Sequence, residues 1–281
     1  MIEKNIHYCW FGNNPLPQDL QAYVNGWKEL YPEYRFYCWT EKTFNIDHSI
    51  PFVKEAYKAK KFAFVADYVR MWALYQYGGI YMDTDIKLLR RFDELMQYRF
   101  FTAIEYHEDN VRILNIKDKL TEEGHKKDPK DIIYDICIES SIFAAEKSHP
   151  FIKDCLEYYN DKHFILNDGT FYDKIIVPVI MALEAEKYGF RYINEFQELK
   201  EGMYLMPDEY FTHPSKQTIN TIGLHMVKNS WKSYSKKQKI YSYLSQNKGI
   251  KYLYDLMDKI PIIRKWFDYI QKLVWLNGKN K

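Results

Sequence analysis

The chain has 281 residues, 47% hydrophobic and 28% charged, enough to bury the core of one large α/β domain or two small ones. No apolar run reaches the length that crosses a bilayer, the start Met-Ile-Glu-Lys-Asn lacks a signal peptide's apolar core, and the four cysteines, Cys9, Cys38, Cys137 and Cys155, form no Cys-x-x-Cys pair, so a reducing cytoplasmic setting is expected. The net charge of +2 conceals an asymmetry: Lys228 to Lys281 carries 13 Lys/Arg against 3 Asp/Glu and the rest 27 against 35, so a basic tail suited to an anionic surface, phospholipid or nucleic acid, follows an acidic body.

In chain order, Asn5 to Gly12 is short, apolar and aromatic and ends in Gly-Asn-Asn-Pro turn chemistry, which predicts a buried first strand. Leu20, Val24, Trp27 and Leu30 recur every three or four residues and predict a helix over Gln18 to Leu30, ended by Tyr31-Pro32. Tyr34 to Trp39 supplies the next strand. This β-α-β opening suits a nucleotide-binding sheet, yet it has neither Gly-x-Gly-x-x-Gly nor Gly-x-x-x-x-Gly-Lys, so the usual dinucleotide fold and the P-loop are unsupported. Helices follow over Pro51 to Lys58 and Phe62 to Tyr77, the second stopped by Gly78-Gly79. That helix is apolar nearly all round, but Asp67 and Arg70, three apart, share a face and must be paired with each other or with a ligand.

Farther on, the pattern predicts a short helix near Phe92 to Met96 and a strand over Phe100 to Tyr106. The charged, lysine-rich stretch from His107 to Asp135 reads as a mobile loop or small subdomain. Ile138 to Ala145 reads as one strand, Pro150 to Asn160 as a helix, and Thr170 to Tyr188 as a long helix kinked at Pro178 and closed by Gly189. Tyr204 to Pro207 and Thr221 to Val227 are the last strands. The remainder reads as two helices split near Ile260-Pro261; in the second, Ile263, Trp266, Phe267, Ile270, Leu273 and Val274 form an apolar stripe beside Arg264, Lys265 and Lys272. Such a helix fits a membrane interface, or packing on its own domain or a second subunit.

The chemistry concentrates at Tyr77-Gly78-Gly79-Ile80-Tyr81-Met82-Asp83-Thr84-Asp85, where an apolar run stops at two glycines and restarts as a strand. Period-2 geometry places Tyr81, Asp83 and Asp85 on one face. Two carboxylates so close call for a cation, a metal ion or an arginine. His225, interrupting a later apolar strand, is a candidate to complete a metal site. A hard divalent ion on one or two carboxylates usually completes its shell with phosphates and water, and would neutralise a departing diphosphate. A mixed oxygen and imidazole shell favours Mn²⁺ somewhat over Mg²⁺.

Three runs, Ile6 to Gly12, Ala63 to Arg70 and Tyr77 to Asp85, with a further patch at His225 to Trp231, resemble the DxD-containing GT-A enzymes of glycosyltransferase family 32. That family groups yeast mannosyltransferases with bacterial capsule-synthesis transferases and is related to clostridial glucosylating toxins. The resemblance implies an α/β fold, a GT-A type Rossmann-like mixed sheet flanked by helices, over a catalytic domain at 1–231, with a basic amphipathic helical extension at 232–281. It implies that Trp10 stacks on the nucleobase, that Asp67 and Arg70 hold the donor sugar and ribose or phosphate, and that Asp83 contacts ribose or sugar. Asp85 and His225 are implied as metal ligands, with Tyr81 beside the donor and Ser230 and Trp231 on the diphosphate or closing over the donor.

The implied activity is metal-dependent, retaining transfer of a sugar from a nucleotide sugar, UDP-linked ahead of GDP-linked, to a glycan or lipid-linked acceptor in capsular or other surface polysaccharide synthesis. Front-face transfer is expected, with the departing diphosphate helping to deprotonate the acceptor hydroxyl. The basic tail adds an anionic membrane partner, hence a peripheral place on the inner face of the cell membrane, and no nucleic acid. Glu139-Ser140-Ser141 departs from the small or amide residues that family members often present to the acceptor, which leaves the acceptor open. The alternative is a non-catalytic sugar-nucleotide or glycan-binding protein of the same fold; a metal-dependent nucleotidyltransferase or phosphohydrolase has no support from Trp10 or the Asp67/Arg70 pair.

Overall fold

The structure, a computed structural model, describes residues 1–227. The chain opens with β1 (Asn5–Cys9), α1 (Gln18–Leu30) and β2 (Arg35–Trp39), and β2 pairs in parallel with β1. The residues that α1 buries are Leu20, Val24 and Trp27, three of the four that predicted it. Next come α2 (Pro51–Lys58) and α3 (Phe62–Tyr77), with the boundaries the sequence predicts. Gly78 and Gly79, at φ +61° and +117°, turn α3 straight into β3 (Gly79–Met82). A side chain on Gly79 would meet the backbone oxygen of Asn5, and one on Gly78 the Glu3 carboxylate, so both the left-handed φ and the closeness to β1 require glycine.

The remaining strands are β4 (Ile86–Leu88), β5 (Phe100–Tyr106), β6 (Ile136–Ile138), β7 (Ile142–Ala145), β8 (Gln197–Leu199), β9 (Met203–Met206), β10 (Phe211–Thr212) and β11 (Gly223–His225). The helices are α4 (Glu108–Ile113), α5 (Pro150–Glu157) and α6 (Val177–Ala185). The main sheet runs β2-β1-β3-β7-β5-β9-β8, with β6 beside β5. β1, β2 and β3 are parallel, β7 is antiparallel to both β3 and β5, and β5 runs parallel to β9. This is the expected mixed sheet flanked by helices. A second, small sheet has the order β10-β11-β4.

Strand alternation divides the core in two. Tyr81, Phe100, Ile104 and Phe143 pack on the side of α2, α3, α5 and α6, while Ile80, Met82, Phe101, Ala103 and Ile142 pack with α1 and the small sheet.

Two expectations are corrected. The strand expected over Ile138 to Ala145 is two, because Glu139 to Ser141 leaves the ladder: Glu139 N–H still donates to Ala103 O of β5, but the Glu139 carboxylate accepts from Ser141 N–H and turns the chain. The helix expected from Thr170 begins only at Val177, since Pro178 sits in its first turn, where a missing N–H costs nothing, and starts the helix instead of kinking it. Residues before it form a turn in which Leu166 N–H donates to Thr170 O. Of the two readings of 107–135, a mobile loop or a small subdomain, the structure agrees with the second: the stretch carries α4 and a short 3₁₀ helix over Ile116–Lys119 and buries Val111, Ile116, Leu120 and Ile133. Among the described residues no helix is long and apolar enough to cross a membrane. Ser230, Trp231 and the extension 232–281 lie outside the described residues.

Candidate active site

β1 and β3 run parallel with His7 opposite Tyr81, so their carboxyl ends open on one edge of the sheet, the edge where open α/β sheets place ligands. Alternation turns Tyr81 toward α3, and its hydroxyl donates to Asp83 Oδ1 at 2.7 Å. The strand stops at Met82, however. Asp83-Thr84-Asp85 is a turn, closed by Ile86 N–H donating to Asp83 O at 3.0 Å and held by Asp83 N–H donating to Ser141 O at 2.7 Å. The expectation that pleating aligns both acids is corrected on this point: Tyr81 and Asp83 share a face, whereas Asp85 reaches the site through the turn.

After the turn β4 pairs antiparallel with β11, setting His225 opposite Ile86, and Met226 N–H donates to Asp85 O at 3.0 Å. His225 Nε2 therefore lies 3.5 Å from Asp85 Oδ1. One ligand atom from each of Asp83, Asp85 and His225 falls within 4.8 Å of the other two. Two carboxylate oxygens and an imidazole nitrogen suit a divalent ion of the Mg²⁺ or Mn²⁺ kind. The two side-chain contacts from Tyr81 and from Arg70 to Asp83 fall on Oδ1.

Behind the turn, α3 supplies Arg70 and Asp67. Arg70 Nη2 lies 2.9 Å from Asp67 Oδ1 and 3.4 Å from Asp83 Oδ1, Nη1 donates to Ser140 O at 2.7 Å, and the guanidinium sits 4.8 Å from the centre of the Tyr81 ring. Burial works against the charge on Arg70, but Asp83, Tyr81 and Asp67 hold its pKa above the ordinary value. Burial raises Asp67 to about 6, with Arg70 drawing it down and Asp83 pushing it up. Burial likewise drives the Tyr81 phenol well above its usual range, so it stays a donor. One arginine thus joins the helix pair and the acidic turn into a single charged cluster.

Trp10 follows β1 on the same sheet edge, its backbone N–H on Trp39 O and its indole N–H donating to Asn14 O at 2.7 Å. Glu139 to Ser141 belongs to this site by its carbonyls. The resemblance marked the triplet as a departure on the acceptor side, with no sign that Ser140 O and Ser141 O would receive Arg70 and Asp83. The Glu139 carboxyl is buried and its pKa is pushed up by that burial and by Glu105, with His225 opposing.

Residues 17–101 match the family described as glycosyltransferase sugar-binding region containing DXD motif, and Asp67, Arg70, Asp83 and Asp85 all fall inside the match. The chain carries a DXD-containing glycosyltransferase sugar-binding region. The chain is similar to inositol phosphoceramide mannosyltransferase 3 of Schizosaccharomyces pombe, 32% identical over 100 residues, 34% of this chain and 28% of that one. Inositol phosphoceramide mannosyltransferase 1 of the same organism is 30% identical over 229 residues, 75% of this chain and 60% of the relative. The chain spans well under a third of the first relative's length and three fifths of the second's. Among solved structures, the PaToxG glycosyltransferase aligns with TM-score 0.45 at 14% identity, covering 66% of this chain and 69% of that one. Galactosyltransferase LgtC, in complex with donor and acceptor sugar analogs, aligns with TM-score 0.42 at 11% identity, covering 92% and 96%. Around the sugar-binding region, β11 contributes His225 from well beyond residue 101.

Proposed function

We propose that the chain transfers a hexosyl group from a nucleotide sugar to a glycan or lipid-linked acceptor in surface polysaccharide synthesis, with retention at the anomeric carbon. The observation that carries this reading is the convergence of Asp83, Asp85 and His225 within 4.8 Å, backed by the Arg70–Asp67 pair, at the edge of the sheet beside Trp10. A divalent ion, Mn²⁺ or Mg²⁺, held by Asp85 and His225 supplies the positive charge that a diphosphate needs as it leaves. Asp67 and Asp83 accept hydroxyls of the donor, and Arg70, engaged with both, orients them. Trp10 stacks on the base, Tyr81 steadies Asp83, and Ser230 and Trp231 serve the diphosphate or the donor.

Front-face transfer fits this site. Asp67 and Asp83 are taken up by Arg70 and Tyr81, and Glu139 by the Ser141 N–H, so these carboxylates already serve other partners. The bond from the anomeric carbon to the diphosphate breaks as the bond to the acceptor oxygen forms, and the acceptor proton passes to the diphosphate. UDP-sugars lead the donor choice and GDP-sugars follow; the mannosyl transfer named for the relatives puts GDP-mannose in the test set, and their inositol phosphoceramide acceptor supports a lipid-linked one. The basic tail supports work at an anionic membrane, on its cytoplasmic face. Screening UDP- and GDP-sugars for Mn²⁺-dependent nucleotide release tests the proposal. Release from one donor, abolished by EDTA, is expected; tight sugar-nucleotide binding without release, with water or added acceptors, would instead favour the non-catalytic binding protein.

A further inference from the structure

The break between β6 and β7 touches the site at two points, Arg70 and the backbone of Asp83. Glu139 Oε1 accepts from Ser141 N–H at 2.7 Å. Within the turn so formed, Ser140 O accepts from Arg70 Nη1 and Ser141 O from Asp83 N–H, each at 2.7 Å. The Thr102 hydroxyl of β5 lies 3.0 Å from Glu139 O and 2.6 Å from Ile142 O, spanning both ends of the break, and Glu139 N–H is anchored on Ala103 O. Glu139, Ser140, Ser141 and Thr102 are all buried. Water is therefore a poor substitute for a lost partner, and a buried N–H left without its acceptor carries the full desolvation cost.

We propose that Glu139 is a positioning residue: its carboxylate, by accepting from Ser141 N–H, shapes the turn whose two carbonyls fix Arg70 and the Asp83–Asp85 turn, and so sets the site for metal and donor. The naming of metal and donor rests on the glycosyltransferase reading; the mechanical claim does not. A carboxylate acceptor holds a backbone N–H more strongly than a neutral one, and an amide oxygen at the same place keeps the bond. Arg70 needs the turn because its ion pairs with Asp67 and Asp83 both use Nη2 and its Nε reaches back to Ala66 O, so Ser140 O is what holds Nη1. Asp83 needs it because its backbone is held by Ser141 O while its side chain is held by Tyr81 and Arg70. The Ser141 hydroxyl itself is buried with no hydrogen-bond partner among the described residues, so this serine acts through its backbone.

The test compares wild type, Glu139→Ala, Glu139→Gln and Ser141→Ala by amide hydrogen exchange at Asp83 without ligand, and by binding of Mn²⁺ alone. Glu139→Ala is expected to speed exchange at Asp83 at least tenfold and to weaken Mn²⁺ at least about tenfold, the scale for losing an outer support of a metal ligand. Glu139→Gln and Ser141→Ala are expected to stay within about twofold on both. Unchanged exchange at Asp83 in Glu139→Ala overturns the proposal, as does Glu139→Gln losing Mn²⁺ affinity with exchange unaltered, since the carboxylate would then act on the ion directly. If Glu139→Ala does not fold, Thr102→Val removes the pin on the same turn: faster exchange at Asp83 supports the proposal and unchanged exchange overturns it. Failure of wild type to bind Mn²⁺ or any sugar nucleotide would sink the glycosyltransferase reading, while exchange at Asp83 would still decide the role of Glu139.

Discussion

Asp83 and Asp85 sit two residues apart and have separate duties. Asp83 is saturated on Oδ1 by the Tyr81 hydroxyl and by Arg70, and its backbone closes the turn; Asp85 faces His225. On the proposed reading, the charge on Asp85 would serve the cation, and that on Asp83 the arginine that steadies it. Asp85→Ala is expected to raise the Mn²⁺ concentration for half-saturation by tenfold or more and to remove turnover, with a thermal transition close to wild type, because a part-exposed side chain is lost. Asp83→Asn should bind Mn²⁺ within a fewfold of wild type yet lose donor affinity, because Arg70 would face a neutral partner. Isothermal titration with Mn²⁺ and then with sugar nucleotide separates the two, and equal loss of Mn²⁺ binding in both variants would contradict this division.

At the level of elements, the site hangs on two places where the backbone departs from regular structure. The Gly78-Gly79 link was legible, because a helix stopping at two glycines before an apolar strand has one simple geometry; α1, α2 and α3 were bounded equally well, by Pro32, Pro51 and those glycines. The turn at Asp83 to Asp85 and the break at Glu139 to Ser141 were not legible, because each is held by the other: Ser141 O takes the Asp83 N–H, a bond across 58 residues of chain. Local pattern reads Ile80 to Ile86 and Ile138 to Ala145 as unbroken strands, and only the tertiary hydrogen bonds end them. The strands β4 and β10, three and two residues long, are too short for any periodicity to show, whereas β11 lies inside the strand expected over Thr221 to Val227. Gly79→Ala tests the legible half. Its φ of +117° and the collision with Asn5 O are expected to cost more than about 1 kcal/mol and to displace β3 from β1. Urea unfolding should show a lower midpoint with donor affinity reduced as well, and an unchanged midpoint would show that the link tolerates a side chain.

Across the whole molecule, protonation and charge set the conditions in which this site can work. His7 is fully buried in β1, its Nε2 2.9 Å from Gly78 O and its Nδ1 accepting from the Trp39 indole at 3.2 Å, in a stack with Tyr37 and Trp39. Burial lowers its pKa from 6.5 to about 4 despite the Gly78 contact. Between those values the unfolded chain binds the proton and the folded one does not, so stability is complete above pH 6.5 and is lost as pH falls toward 4. The size is roughly 3 kcal/mol at most. Thermal unfolding from about pH 7 to about pH 4.5 should fall less steeply in His7→Gln than in wild type, whatever its absolute stability; parallel profiles would place the acid sensitivity elsewhere.

The charge asymmetry gives the last prediction. Residues 1–227 carry 27 Lys/Arg against 35 Asp/Glu, and 228–281 carry 13 against 3, so the two parts are repelled and attracted, respectively, by the same anionic surface. Each basic side chain near such a surface contributes about 1 kcal/mol, within a reach of about 8 Å at physiological salt, so a handful of contacts from the tail outweighs long-range repulsion of the body. If the acceptor is lipid-linked, that attraction would raise its local concentration at the site. Co-sedimentation with phosphatidylserine-containing vesicles is expected at low salt, with little on neutral vesicles and most binding lost at about 0.5 M salt, where the screening length falls to a few Å. Reversing Lys236, Lys237 and Lys239 to glutamate should release the protein from the vesicles while leaving Mn²⁺ binding at Asp85 and His225 intact. Vesicle binding that survives both the salt and the charge reversal would mean that apolar side chains such as Ile263, Trp266 and Phe267, and not the basic charge, hold the chain to the surface.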